Sequence, residues 1–246
     1  MSSDPSRSHF WVVSTAIVSL LAVAACNNLP GRPGPGPEVI NPEAVVDFTT
    51  LYQQNCSGCH GAGGKGGAAI ALSDPVYLAI ADDGTIRRIT AKGVRGTQMP
   101  PFAQSEGGML TDTQINALVR GIRSWARPDT LRDVNLPPYA AEPPGNPQRG
   151  ADVFATFCSA CHGPSGGGTQ KASSIVNGTY LALVSDQDLR TVVIAGRPEL
   201  GAPDWRSDVR GRPMSAQEIS DVVAWLAAQR PRFPGQPYPN PEGLKQ

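Results

Sequence analysis

The chain is short of net charge, of aromatic side chains and of histidine, and each shortage closes off a class of function. Lysine plus arginine and aspartate plus glutamate are both 21 among 246 residues, a formal charge of zero. A nucleic-acid binder normally shows a basic face, so nothing points to nucleic acid or another polyanion as a partner. Aromatic residues are 6% and apolar residues 40% of a chain that holds 27 glycines and 24 prolines. That is poor material for a large aliphatic core, and something other than side chains is expected to fill the middle. The histidines are His9, His60 and His162, so imidazole chemistry must be done with few groups.

Long apolar runs are scarce as well. Phe10 to Ala25, FWVVSTAIVSLLAVAA, falls short of the about 20 residues that a membrane span needs. With Arg7 and His9 before it, the run reads as the apolar region of a secretory signal peptide. It ends Val23-Ala24-Ala25-Cys26, which resembles the lipobox of bacterial lipoproteins, in which the cysteine is lipidated and becomes the first mature residue. An uncleaved anchor with an incidental cysteine is the competing reading. On either reading the bulk of the chain is expected to be exported and tethered, in the periplasm or on the outer face of a membrane. Residues 1–26 are then the leader with Cys26 as the lipid attachment site, and 27–42, NNLPGRPGPGPEVINP, form a semi-rigid spacer too rich in Pro and Gly to pack.

Four cysteines remain, in two pentapeptides: Cys56-Ser57-Gly58-Cys59-His60 and Cys158-Ser159-Ala160-Cys161-His162. C-x-x-C-H is the attachment signature of c-type haem. Two thiols one helical turn apart can add to the two vinyl groups of one haem, and the adjacent imidazole then supplies the proximal iron ligand. The competing readings are structural zinc, which wants four ligands per metal, a redox dithiol, and plain disulfides in an oxidising compartment.

The repetition extends beyond these motifs. PVYLAIADDGTIRRITAKGVRGTQMPPF (75–102) matches GTYLALVSDQDLRTVVIAGRPELGAPDW (178–205), aligning Tyr77 with Tyr180, Gly93 with Gly196 and Pro100 with Pro203. Each copy then enters a helix through a capping box, Thr111 to Gln114 and Ser215 to Glu218. Together these residues resemble class I c-type cytochromes in tandem. The resemblance implies an all-α fold of two cytochrome c-like haem domains, each with about three main helices around one covalent haem. The first domain is expected over 43–127 and the second over 149–230, with a Pro-rich linker at 128–148 and a Pro-rich tail at 231–246. An apolar, buried haem would also explain how domains of this size and composition fold.

The family usually packs its first helix across its last, a small residue meeting an aromatic one. The second domain fits, with Gly150 and Phe154 before Cys158, and Val222 and Trp225 on the final helix. In the first domain small and large change sides: Phe48 stands where Gly150 does, and Gly121 where Trp225 does. Close packing penalises voids and overlaps alike, so a conserved total volume at the crossing is expected.

The resemblance implies His60 and His162 as proximal ligands, and bis-histidine ligation is then unavailable. Met99, on a Pro-flanked loop, is the expected sulfur ligand of the first iron, with Met109 a weaker competitor better suited to packing. The aligned residue in the second domain is Ala202, which cannot coordinate iron. Met214 is the candidate replacement. It also precedes the N-cap Ser215 with Ile219 at the fourth helical position, so it fits a hydrophobic staple, as Leu110 and Ile115 do. An open position, or a lysine or other group, remains the further alternative.

The function expected is electron transfer, without catalytic residues. The chain would pass single electrons between a membrane-bound donor and a redox partner, as a subunit of a respiratory, photosynthetic or dehydrogenase complex. The competing class is a haem enzyme or a peroxide or gas sensor with an open second site. No distal histidine is left to serve it, and only acidic residues such as Glu199 or Asp204 could act as its base.

Overall fold

The structure is a computed structural model that describes residues 36, 40–206 and 211–231. The leader, its Cys26 and all but the first residue of the C-terminal tail lie outside the described residues. Among the described residues there are ten α-helices and no strands, five helices in each copy of the repeat. The first copy runs α1 (Phe48–Asn55), α2 (Ser57–His60), α3 (Pro75–Ile80), α4 (Asp83–Lys92) and α5 (Asp112–Arg123). The second runs α6 (Pro147–Phe157), α7 (Ser159–His162), α8 (Gly178–Leu183), α9 (Asp186–Ala195) and α10 (Ala216–Ala228).

Except for α2 and α7, the helices start at residues whose side chains take a free backbone N–H. Asp74 accepts from the N–H of Val76 and Tyr77, and Asn177 does the same for Thr179 and Tyr180. Both expected capping boxes are present, on Thr111 with Gln114 and on Ser215 with Glu218, and α9 adds a third on Ser185 with Asp188. Gly93 and Gly196 end α4 and α9 at φ of 64° and 70°, backbone that glycine adopts at no steric cost. A second constraint acts there. A Cβ on Gly93 would stand 2.6 Å from the Met99 carbonyl oxygen, and one on Gly196 2.7 Å from that of Ala202. The loops carrying residues 99 and 202 therefore lie directly against the ends of these helices.

Each copy crosses its first long helix over its last, and the exchange of small and large side chains is real. A Cβ on Gly121 of α5 would overlap the Phe48 ring of α1, while one on Gly150 of α6 would overlap the Asp221 carbonyl of α10. In the second copy Phe154 and Trp225 stack, with centroids 4.3 Å apart and planes at 27°. In the first, the indole comes from Trp125, one turn beyond Gly121. It meets Phe48 at 5.2 Å and Tyr52 at 5.1 Å, both edge to face. It covers Gly64, and Trp225 reaches the matching Gly166. Phe48 thus has room because the tryptophan has moved by one turn.

The segment joining the copies opens with a 3-10 turn at Pro128–Leu131 and has no α-helix before Pro147, but it is not a free spacer. Arg190 on α9 is buried, donating to the carbonyls of Pro138 and Tyr139 and to the Ser220 hydroxyl at 2.9–3.2 Å. Gln187 also donates to the Tyr139 carbonyl at 2.9 Å, and a Cβ on Gly145 would overlap the Ser220 carbonyl.

Candidate functional site

Each C-x-x-C-H motif is wound into its own single-turn helix, α2 or α7, capped by a glycine with φ of 78°. Within each motif the first cysteine is half-buried and the second exposed, and all four are free thiols. Burial pushes the Cys56 and Cys158 thiols up to about 11. A dithiol built for redox exchange is helped by a depressed thiol pKa, and burial of Cys56 and Cys158 works against it. Among the described residues no group of three or more His, Cys, Asp or Glu side chains is placed to hold a metal ion between them.

The imidazoles carry the strongest geometric signal. His60 Nδ1 lies 2.8 Å from the Ile70 carbonyl, and His162 Nδ1 lies 2.9 Å from that of Ser173. A carbonyl only accepts, so both rings hold their proton on Nδ1 and leave Nε2 as a lone-pair donor, the arrangement that orients a metal-ligating histidine. Burial pushes His60 below its ordinary range, which favours the neutral ring that ligation requires. Nothing in the sequence marks Ile70 and Ser173 as partners, since a backbone carbonyl is available on any residue.

The loops bearing residues 99 and 202 share one closing bond but differ inside, where the second alone has a 3-10 turn at Pro198–Leu200 and a return bond from the Ala202 N–H to the Arg197 carbonyl. Val94 N–H donates to the Met99 carbonyl at 3.0 Å, and Arg197 N–H to the Ala202 carbonyl at 3.0 Å. Met99 is half-buried on that loop, and Met109 is largely exposed. Met214 occupies another place. Its N–H donates to the Trp205 carbonyl at 2.9 Å, as the Leu110 N–H does to Phe102 at 2.8 Å. Met214 and Leu110 are 7% and 6% exposed within the apolar core.

One residue that sequence reasoning passed over joins the two copies. Arg197, on the loop of Ala202, donates from Nη2 to the Gly67 carbonyl at 2.7 Å and from Nη1 to Ala68 at 3.4 Å. Its Nε pairs with Glu199 at 2.6 Å. Gly67 and Ala68 follow His60 in the loop that also supplies the Ile70 carbonyl. The ligand-side loop of the second copy therefore rests on the histidine-side loop of the first.

The profile of the family described as Cytochrome C oxidase, cbb3-type, subunit III matches residues 43–120 and again 145–226. The chain belongs to this family. Similar curated proteins include the cbb3-type cytochrome c oxidase subunit FixP of Sinorhizobium medicae, 28% identical over 67% of this chain and 60% of that one. The subunit CcoP of Cereibacter sphaeroides is 31% identical over 49% of this chain and 40% of that one. The chain thus spans three-fifths or less of the length of these relatives. As a tandem c-type cytochrome of the subunit III family it carries two haem c groups, one per repeat. The residues present fit such a group twice: two free thiols one turn apart, and an imidazole with Nε2 left unbonded by its Nδ1 hydrogen bond. No helix among the described residues is long and apolar enough to cross a membrane.

Proposed function

We propose that the chain is an exported, membrane-tethered carrier of single electrons, working as the cytochrome component of a membrane oxidase complex of the cbb3 kind. The observation that carries this reading is the pair of motifs in which a proton-fixed imidazole stands beside two unpaired thiols. The names of the relatives support the oxidase complex as partner, and the lipobox-like end at Cys26 supports a lipid tether.

Haem c supplies reversible one-electron chemistry at its iron; the chain positions and tunes it. In the first domain, 43–127, Cys56 and Cys59 would hold the macrocycle as thioethers, and His60 and Met99 would ligate its iron. In the second, 149–230, Cys158, Cys161 and His162 would do the same from one side. Ile70 and Ser173 fix the imidazoles so that each Nε2 keeps its direction. Arg197 ties the loop of Ala202 to the loop after His60, which suits a relay in which the electron enters through one copy and leaves through the other.

The double variant Cys158→Ser with Cys161→Ser tests the assignment. It should retain one covalent haem per chain by the pyridine haemochrome assay, down from two, with the second half destabilised because its core-filling group is gone. Two covalent haems in that variant would refute the attachment assignment.

A further inference from the structure

We propose that the second site keeps its sixth position free for an exogenous ligand, a small uncharged molecule of the carbon monoxide class, because Ala202 lines that side and Met214 packs instead of ligating. The proposal rests on the dihaem reading above.

Two positions that the sequence leaves confusable are separated by the hydrogen bonds of the repeat. Residues 99 and 202 close the same loop, through bonds of 3.0 Å from Val94 and Arg197. Residues 110 and 214 share a different place, immediately before the N-caps Thr111 and Ser215, bonded to the carbonyls of Phe102 and Trp205. In the first copy both places are filled at once, by Met99 and by Leu110. Leucine cannot coordinate iron, so the place of Leu110 is a packing place, and Met214 inherits it as a staple to α10. The ligand place in the second copy holds a methyl group.

Lys171, the one lysine of the second copy, lies on the other loop, two residues before the Ser173 carbonyl that holds His162. From Ala172 to Pro231 the sequence has no histidine, cysteine or lysine, and Met214 is its one methionine. Glu199 and Asp204, the carboxylates near Ala202 in sequence, are paired with Arg197 and Arg206, each at 2.6 Å. Trp205 replaces Phe102 and is more buried than it. Its indole returns much of the volume lost at residue 202, as close packing demands, but its N–H only donates. Among the described residues, Ala202 and Trp205 therefore give this side no ligand of their own, a setting that admits a small neutral molecule and disfavours a charged one.

The test uses the purified full-length holoprotein. Oxidised wild type should show the far-red sulfur-to-iron charge-transfer band with the amplitude of one His/Met haem, and carbon monoxide should bind about half of the reduced haem. Met214→Leu keeps the staple, so it should leave both signals unchanged. Ala202→Met should about double the band and abolish carbon monoxide binding. Met99→Leu should remove the band and let carbon monoxide bind both haems, which decides the matter if the Ala202 variant does not fold. A two-haem band that halves in Met214→Leu, or a wild type that binds no carbon monoxide, would overturn the proposal while leaving the dihaem reading intact. Fewer than two covalent haems by pyridine haemochrome would overturn that reading and this proposal with it.

Discussion

Gly121 and Gly150 both sit at helix crossings, and the space each leaves is taken by a different kind of atom. At Gly121 the obstacle to a side chain is the ring of Phe48; at Gly150 it is the main-chain carbonyl of Asp221. Gly121→Ala gains up to about 1 kcal/mol of helix propensity but overpacks the crossing, so a net loss of about 1–3 kcal/mol is expected. Phe48→Leu should restore much of it, and a double-mutant cycle by thermal melting reads that coupling. Gly150→Ala should cost at least as much and find no rescue in any single side-chain change, because the backbone must move. Additive losses at Phe48 and Gly121 would show that the pair does not meet. The exchanged crossing was legible in the sequence, since both partners stand at aligned positions of a repeat. The relocated indole was not, because Trp125 has no tryptophan opposite it in the second copy and its role depends on reaching Gly64 across the fold.

At the scale of elements, the second copy treats one aligned arginine differently from the first. Arg87 on α4 is on the surface, bonded to Asn116 at 2.6 Å and Asp112 at 2.8 Å. Arg190, its counterpart on α9, bonds Ser220 at the place of Asn116 and is sealed by Pro138 and Tyr139 of the joining segment. Arg190→Met takes the side-chain donor from the Pro138 carbonyl and leaves the Tyr139 carbonyl only its bond from Gln187, losing bonds to a charged group at a cost of about 1–3 kcal/mol. It should also release the segment, so that limited proteolysis cuts within 128–148. Arg87→Met removes only surface contacts and should stay within about 0.5 kcal/mol. Equal effects of the two variants would contradict this account. Composition marked residues 128–148 as non-helical but said nothing of where their carbonyls go, because their partners lie about fifty residues away, as Arg190 does from Pro138.

For the whole molecule, electron flow through the chain turns on how the two sites differ and how they touch. The two C-x-x-C-H motifs were open to sequence reasoning because covalent attachment demands fixed spacing. Contact between the copies was closed to it, since Arg197 reads as one arginine among many until its bonds to Gly67 and Ala68 are seen. The guanidinium lies against Gly67 and Ala68 of the loop that follows His60, and a nearby cation disfavours the oxidised, more positive iron. Arg197→Gln removes that charge and leaves Glu199 unpaired, two changes of the same sign, so the potential of the first site should fall while both haems stay attached. An unchanged or raised first potential would show that the contact does not tune it.

An optical redox titration of the full-length holoprotein tests the central claim most directly. The account predicts two one-electron waves of similar amplitude, the higher belonging to the His/Met site and brought down by Met99→Leu, the lower untouched by Met214→Leu. A single wave carrying the whole absorbance change, or a lower wave displaced by Met214→Leu, would contradict it.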